Sequence, residues 1–276
     1  MGIGRALRAR GHQVTVIANP YYADYVEAEN LDFIELGTRE DLTEFWASSS
    51  IWHPAQFWKI ALRYSAVQPM RQSYEIIRRL YEPGHTVVAG PGWAFGARIA
   101  QEKIGVPLAT IHLESYLLRS IYRSPKMPPP LQLQDWVPKI SKRFQLWIAD
   151  RFFTDPCIAD DTNSFRAQLG LPPVRRLLDQ WWNSPQLVIG MFPEWFYSPQ
   201  PDWPAKTELT GFPLSDGSSQ QQPPNELVAF MSEGDPPIVF TAGSANEHAH
   251  RYFKTAVDTC HLLNRRGVLI ASNRCQ

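Results

Sequence analysis

The sequence predicts an α/β fold with a parallel sheet, and three observations support this class. Short apolar, β-branched runs recur along the chain, stretches of helical character separate them, and Gly, Asn and Pro stand at the transitions. Strands that alternate with helices form βαβ units, whose right-handed crossovers place helices on both faces of a parallel sheet. We therefore expect a doubly wound domain over the first part of the chain.

Local signals define each element of this part. Residues 3–10 have helical character and stop at Gly11, and the strand His12–Ala18 ends at Asn19-Pro20. The alternation continues with predicted helices over 21–29, 54–81 and 94–104, and with predicted strands over 33–36, 86–89 and 107–112. Because a helix opens the chain with no strand before it, we expect the first strand of the sheet to be absent from this sequence.

The remainder indicates a second, smaller domain. Helices are predicted over 136–153, 161–169 and 175–182, and strands over 186–191 and 207–210. The following stretch SDGSSQQQPPN, residues 215–225, has the polar, Pro-containing composition of a linker. We expect a first domain over 1–214 and an incomplete second domain over 226–276, with helices at 226–232 and 248–266 and strands at 237–241 and 267–272.

Composition limits the partners and the compartment. Basic and acidic side chains both number 27, so the net charge of zero gives no electrostatic basis for nucleic-acid binding. No apolar run approaches the ~20 residues of a membrane helix, and the start lacks the apolar region of a signal peptide. The three widely spaced cysteines fit free thiols in a reducing compartment. We expect a cytoplasmic protein without a transmembrane segment.

Two loops combine polar and aromatic residues where predicted strands end. The run Gly90-Pro-Gly-Trp93 follows one strand, and His112 and Glu114 follow the next. Ligands of open α/β sheets bind beyond the carboxyl ends of the strands, so both loops should border one cleft. Trp93, His112 and Glu114 are therefore candidate binding residues. A half-buried histidine with satisfied hydrogen bonds and a solvated glutamate are the alternative interpretations of the last two. For Trp93, as for each tryptophan of the chain taken singly, core or loop packing is favoured over ligand stacking, because large aromatic side chains dominate core burial.

Three segments carry a family resemblance, and they occur in the family's order. They are GIGRALRARGHQVTVIANP, VVAGPGWAFGARIAQEKIGVPLATIHL and PPIVFTAGS. Together they resemble bacterial GT-B glycosyltransferases of the UDP-glycosyltransferase and sterol glucosyltransferase-like family (family 1), over essentially the whole chain. The resemblance implies two facing Rossmann-like domains. It also implies that an acceptor binds mainly to the first domain and a nucleotide-sugar mainly to the second. The candidate binding residues Trp93, His112 and Glu114 would then belong to the acceptor side.

The resemblance further implies inverting, metal-independent transfer of a hexose to a hydroxyl of a lipophilic small molecule. The co-substrate would be a UDP- or TDP-hexose, with no other cofactor and no metal. Such transfer needs a base with a pKa near neutrality, and in the family a histidine upstream of the segments matched here supplies it. His12 is similar to it only by proximity, so no catalytic residue is assigned.

On the donor side, the matching motif is the loop after the first strand of the second domain. Gly243, Ser244 and Asn246 would contact the diphosphate there, because a glycine permits close backbone approach and helix N-termini bind phosphate oxygens. A plain turn is the alternative for Gly243 and Ser244, and helix capping for Asn246.

The family's base loop and most of its donor site have no counterpart in these residues. We therefore expect the chain to be a fragment of a transferase, truncated at both ends and inactive alone. Two other functions stay open: a non-catalytic acceptor-binding or partner protein, and a sugar-nucleotide epimerase of the same architecture. Peripheral contact with a membrane is also open.

Overall fold

The computed structural model describes residues 2–48, 54–123, 136–213, 223–243 and 249–271. The chain divides into two compact units, Met1–Ser215 and Asp216–Gln276. Most of the predicted linker lies outside the described residues. That the first predicted domain binds an acceptor and the second a nucleotide-sugar stays a prediction.

The strands of the first unit form two parallel sheets. A two-stranded sheet pairs β1 (Thr15–Ala18) with β2 (Asp32–Glu35). A four-stranded sheet has the order β3-β4-β5-β6, with β3 at Val88–Pro91, β4 at Leu108–His112, β5 at Leu187–Gly190 and β6 at Thr207–Leu209. All pairings between described strands are parallel, which confirms the α/β prediction. The strands of this unit belong to two sheets where the sequence predicted one.

Eight α-helices accompany these strands in the described part of the first unit. They are α1 (Gly2–Ala9), α2 (Ala23–Glu27), α3 (Arg39–Ala47), α4 (Pro54–Leu62), α5 (Met70–Leu80), α6 (Phe95–Ile104), α7 (Lys139–Ala149) and α8 (Asp155–Gln168).

The long helix predicted over 54–81 is interrupted by a π-helical turn, Arg63–Val67, which Pro69 follows. A second π-helical turn, Asp150–Thr154, joins α7 to α8. The helix predicted over 175–182 is instead a third such turn, Leu177–Trp181, after Arg176 at a φ of 49°. Because the backbone of Arg176 is left-handed, a regular right-handed α-helix cannot run through this position. The predicted helix over 175–182 therefore does not form.

Helix α3 is not among the predicted helices, although its start has a recognisable signal. The Thr38 hydroxyl accepts a hydrogen bond from the Asp41 backbone N–H, and the Asp41 carboxylate accepts one from the Thr38 N–H. This reciprocal arrangement is a capping box, which satisfies two backbone donors that a helix start otherwise leaves unpaired.

The main core of the first unit lies where α5 and α6 pack against β3 and β4. Phe95, Ile99, Val106 and Leu108 are buried there with the aromatic residues of the third π-helical turn. Gly96 makes this approach possible, because a Cβ at this position would lie 2.4 Å from the Met70 carbonyl oxygen. Packing of α6 fixes the position of the loop that precedes it.

The second unit contains α9 (Asn225–Ser232), β7 (Ile238–Thr241), α10 (His250–Leu262) and β8 (Gly267–Ile270). The two strands are parallel, and Ile238 lies opposite Gly267. Cys157 in the first unit and Cys260 in the second are both free thiols. Among the described residues, no helix combines the length and apolar character needed to cross a membrane.

Candidate functional site

The candidate acceptor loops lie at the carboxyl edge of the four-stranded sheet. Strand β3 leads into Gly92 and Trp93, and the neighbouring β4 ends at His112. His112 lies opposite Gly190 at the end of β5, and its carbonyl accepts a hydrogen bond from the Met191 N–H at 2.8 Å. Parallel pairing therefore brings the two predicted loops to one edge.

Gly92 allows these two loops to approach each other closely. A Cβ on Gly92 would lie 2.9 Å from the His112 ring and 2.9 Å from the Trp182 ring. The adjacent Trp93 is half-buried and packs against the main core. Part of the Trp93 indole is thus structural, while its exposed part borders the edge of the sheet.

His112 is fully buried, with 0 % of its surface exposed. Its Nε2 lies 2.7 Å from Asn183 Oδ1, whereas Nδ1 has no hydrogen-bond partner among the described residues. Burial lowers the pKa of His112 below its ordinary value, and the hydrogen bond to Asn183 acts in the opposite direction. The imidazole is therefore neutral at physiological pH, with Nε2–H donating to the amide oxygen. Asn183, and not His112, lines the neighbouring cavity.

Glu114 is exposed just beyond the end of β4. Leu113 and Tyr116 are exposed beside it. Burial of part of the Tyr116 ring raises the pKa of its phenol, and the Glu114 carboxylate raises it further. Glu114 is thus accessible to a ligand, in contrast to His112.

A polar cavity of about 480 Å³ extends from Asn183. Its wall consists of the loop after β4, one face of α7, the third π-helical turn and the segment before β6. The charged residues that line it are Arg119, Arg143, Arg176, Asp179 and Asp202. None of these charged residues is among the candidate residues predicted from the sequence. They come from segments far apart in the chain, and only the fold brings them together.

Buried ion pairs hold the wall of this cavity in place. The carboxylate of Asp150 is fully buried and contacts the guanidinium groups of Arg119 and Arg176. Arg176 also pairs with Asp179 at 2.9 Å. Burial raises the pKa of Asp179 above its ordinary value, while the charge of Arg176 acts to lower it. The cavity thus presents both donors and acceptors.

Asp202 fixes the opposite side of the cavity. Its carboxylate accepts hydrogen bonds from Ser120 Oγ at 2.6 Å and from the Ile121 N–H at 2.8 Å. The loop after β4 is therefore tied to the segment before β6. Nearby, Trp203 donates from its indole N–H to the Leu118 carbonyl at 3.0 Å.

An exposed aromatic cluster follows the carboxyl ends of β5 and β6. It consists of Trp195, Phe196 and Phe212, whose ring centroids are separated by 5.4 to 6.2 Å. The Trp195 side chain is 81 % exposed. An exposed aromatic cluster of this kind more often marks a contact with a ligand or a partner than a purely structural role. The sequence favoured core packing for each tryptophan taken singly, so it did not single out this cluster.

On the donor side, Gly243 is exposed in the loop after β7 at a φ of 83°. Its N–H is turned toward Thr241 Oγ1 at 3.3 Å. A Cβ at this position would meet no atom of the described residues within 4 Å, and the positive φ is the feature that favours glycine. Ser244 and Asn246 lie outside the described residues, and their proposed contacts stay predictions.

His12 is exposed at the turn between α1 and β1. It therefore lies before the amino end of its strand, whereas ligands of such sheets bind beyond the carboxyl ends. In the described part of the chain, no three His, Cys, Asp or Glu side chains converge on a metal-sized site.

No protein-family model matches the sequence. The chain is 23% identical over 253 residues to an uncharacterised protein of Mycobacterium bovis, covering 88% of this chain and 56% of that protein. It is 20% identical over 256 residues to a sterol 3-beta-glucosyltransferase of Arabidopsis thaliana, covering 88% of this chain and 40% of that enzyme. The chain thus spans about half the length of the curated relatives it matches.

Solved structures of glycosyltransferases share the fold of this chain. The glycosyltransferase of kitacinnamycin superposes with a TM-score of 0.62 at 16% identity, over 98% of this chain and 60% of that one. The glycosyltransferase SsfS6 of Streptomyces sp. SF2575, complexed with thymidine diphosphate, gives a TM-score of 0.54 at 16% identity, over 99% of this chain and 64% of that one. The fold is therefore GT-B-like, as the resemblance to family 1 glycosyltransferases implied.

Proposed function

We propose that this protein acts in glycosyl transfer, with the first unit binding a lipophilic alcohol and the second contributing to binding of a UDP- or TDP-hexose. The observation that carries the proposal is the likeness to glycosyltransferases along nearly the whole chain, 98% in the case of the kitacinnamycin structure. Thymidine diphosphate bound to SsfS6 supports a nucleoside diphosphate donor.

The carboxyl edge of the first unit supports the acceptor part of the proposal. A lipophilic alcohol needs apolar contact for its body and polar partners for its hydroxyl group. The exposed cluster of Trp195, Phe196 and Phe212 offers the first. Glu114 and Asn183 offer the second, because one is exposed and the other lines the polar cavity.

Inversion requires the acceptor oxygen to attack the anomeric carbon as the bond to the diphosphate breaks, while a base takes the hydroxyl proton. His112 does not suit this step, since its imidazole is buried and its Nε2 proton is directed to Asn183. We assign no base among the described residues. Inversion and independence from metal rest on the family resemblance.

The experiment that tests the proposal combines binding with turnover. The whole chain is incubated with UDP- and TDP-hexoses and a panel of sterols and polyketide alcohols, with and without EDTA. Mass spectrometry then detects alcohols that have gained one hexose, and calorimetry measures binding of each alcohol and each nucleotide. A glycoside of inverted configuration that forms in EDTA would establish the full proposal.

Other outcomes separate the alternatives. Binding of both an alcohol and a nucleotide without transfer is the result expected for a transferase fragment that is inactive alone. Binding of an alcohol without binding of any nucleotide favours an acceptor-binding partner protein. Conversion of the nucleotide-sugar to its epimer without an acceptor would identify an epimerase. Failure to bind any alcohol or nucleotide would overturn the proposal.

A further inference from the structure

Helix α7 presents a row of large apolar side chains to the solvent. Trp136, just before the helix, is 83 % exposed, and Ile140 and Phe144 within it are 78 % and 59 % exposed. Trp147 is also exposed, and its ring stacks on that of Phe144 at 5.7 Å between centroids. Residues three and four apart lie on one helix face. Ile140, Phe144 and Trp147, the α7 stripe, therefore form one exposed row on the helix, and Trp136 is exposed just before it.

The turn after α7 extends this apolar surface. Phe152 and Phe153 are both exposed, and the Phe152 ring contacts Trp147 edge-on at 6.1 Å. Folded proteins rarely leave apolar surface of this extent open to water unless a ligand, partner or membrane covers it.

Positive charge accompanies the apolar surface. Lys139, Arg143 and Arg151 are exposed. Over residues 136–153 the sequence has a single carboxylate, Asp150, and this group is buried and paired with Arg119 and Arg176. The exposed charge of the segment is therefore exclusively positive.

The cations lie directly beside aromatic rings. The ammonium of Lys139 is 3.7 Å from the centroid of the exposed Tyr122 ring. The guanidinium of Arg151 is 5.7 Å from that of Phe152. Aromatic residues with adjacent cations are the combination found where proteins meet the headgroup layer of a bilayer.

These observations distinguish between possible occupants. A second copy of the chain in a symmetric contact would bring the same cations face to face, which is unfavourable. Uncharged small molecules would leave the cations without a role. An anionic bilayer satisfies both features, because aromatic side chains enter the interface while Lys and Arg contact lipid phosphates.

We infer that the α7 stripe docks on the surface of an anionic lipid bilayer, with Lys139 and Arg151 at the level of the headgroups. This inference is independent of the proposed glycosyl transfer. If both hold, the docked helix would bring the acceptor-binding unit to a membrane in which lipophilic alcohols dissolve.

The test is co-sedimentation of the whole chain with vesicles of phosphatidylcholine, with and without phosphatidylglycerol. We expect binding to the anionic vesicles, weakened by high salt. The double variant Ile140→Ser/Phe144→Ser should bind at least tenfold more weakly, and so should Lys139→Glu/Arg151→Glu. The matched control is Trp195→Ser, which removes an exposed aromatic elsewhere and should bind like the unchanged protein. All altered side chains are exposed, so each variant should fold, as circular dichroism would verify.

Several results would overturn the inference. One is equal binding to neutral and anionic vesicles; another is unchanged binding by either double variant. An equal loss in Trp195→Ser would show non-specific adhesion of exposed aromatic residues. If Ile140→Ser/Phe144→Ser weakens binding of a soluble alcohol but leaves vesicle binding intact, the stripe belongs to an acceptor site and the membrane inference is wrong.

Discussion

Replacement of Glu102 by alanine should destabilise the first unit strongly, because one carboxylate neutralises two buried arginines. Glu102 on α6 pairs with Arg98 one turn earlier at 3.0 Å and with Arg166 on α8. It also accepts a hydrogen bond from the Trp181 indole N–H at 2.9 Å. This network joins two helices to the π-helical turn that leads to Asn183.

The expected magnitude follows from burial. The Arg166 side chain is only 2% exposed, so removal of Glu102 leaves a guanidinium charge in the interior. Breaking a buried pair in this way costs about 3–5 kcal/mol, and loss of the acceptor for Trp181 adds about 1 kcal/mol. Two backbone carbonyls still accept hydrogen bonds from Arg98 and Arg166 at 2.9 Å. We therefore expect the total loss of stability to lie in the lower part of the range of about 3–5 kcal/mol.

Urea unfolding followed by tryptophan fluorescence measures this loss. All ten tryptophans lie in the first unit, so the signal reports its unfolding specifically. The matched control is Glu75→Ala, which removes a helical Glu paired with Arg78 at the surface and should cost less than about 1 kcal/mol. If Glu102→Ala does not fold, Glu102→Gln should show an intermediate loss. A loss for Glu102→Ala no larger than for Glu75→Ala would refute the reasoning.

Three further predictions concern the same unit. Gly96→Ala should lower the free energy of unfolding by about 1–3 kcal/mol, because the new Cβ would meet the α5 backbone. The control Gly90→Ala should change this free energy little in the same urea assay, because the nearest atom to its Cβ would lie at 3.4 Å. Burial lowers the pKa of His112 below 6.5, so as the pH falls the unfolded chain binds this proton at a higher pH than the folded chain. The free energy of unfolding should therefore fall below about pH 6.5 by up to ~1.4 kcal/mol per pH unit. Unfolding curves at pH 7.5 and 5.5 should show a smaller fall for His112→Gln. Asp202→Ala should release the loop after β4, cost about 1–3 kcal/mol, and speed hydrogen exchange at the Ile121 amide; unchanged exchange would contradict the role of this carboxylate.

Much of the fold could be predicted because its strands are short apolar runs between clear turn residues. The strand predicted over 107–112 is β4, Leu108–His112, and the helix predicted over 94–104 is α6, Phe95–Ile104. Local sequence was insufficient where backbone geometry departs from a regular helix. The turn Arg63–Val67 and the left-handed Arg176 depend on how the flanking segments pack, and packing is not visible in a local window.

The position of the candidate site could be predicted, but its chemistry could not. Parallel strands end at one edge, so topology alone placed Trp93, His112 and Glu114 together. Whether a side chain at that edge faces a ligand depends on its neighbours. Asn183 and Trp182, from a segment about 70 residues further along, cover the imidazole of His112, and no local pattern indicates this.

The role of the charged residues of the polar cavity could not be predicted from local sequence either. In the sequence, Arg119, Asp150 and Arg176 are separate polar residues in helical or loop segments, each best interpreted as solvated. In the fold they form one cluster, in which the buried carboxylate of Asp150 contacts two partly exposed arginines at the wall of the cavity. A buried carboxylate is stable only with such partners, so the cluster fixes how the loop after β4 and the third π-helical turn face each other. That arrangement determines which polar groups line the cavity, and it follows from long-range packing rather than from any motif.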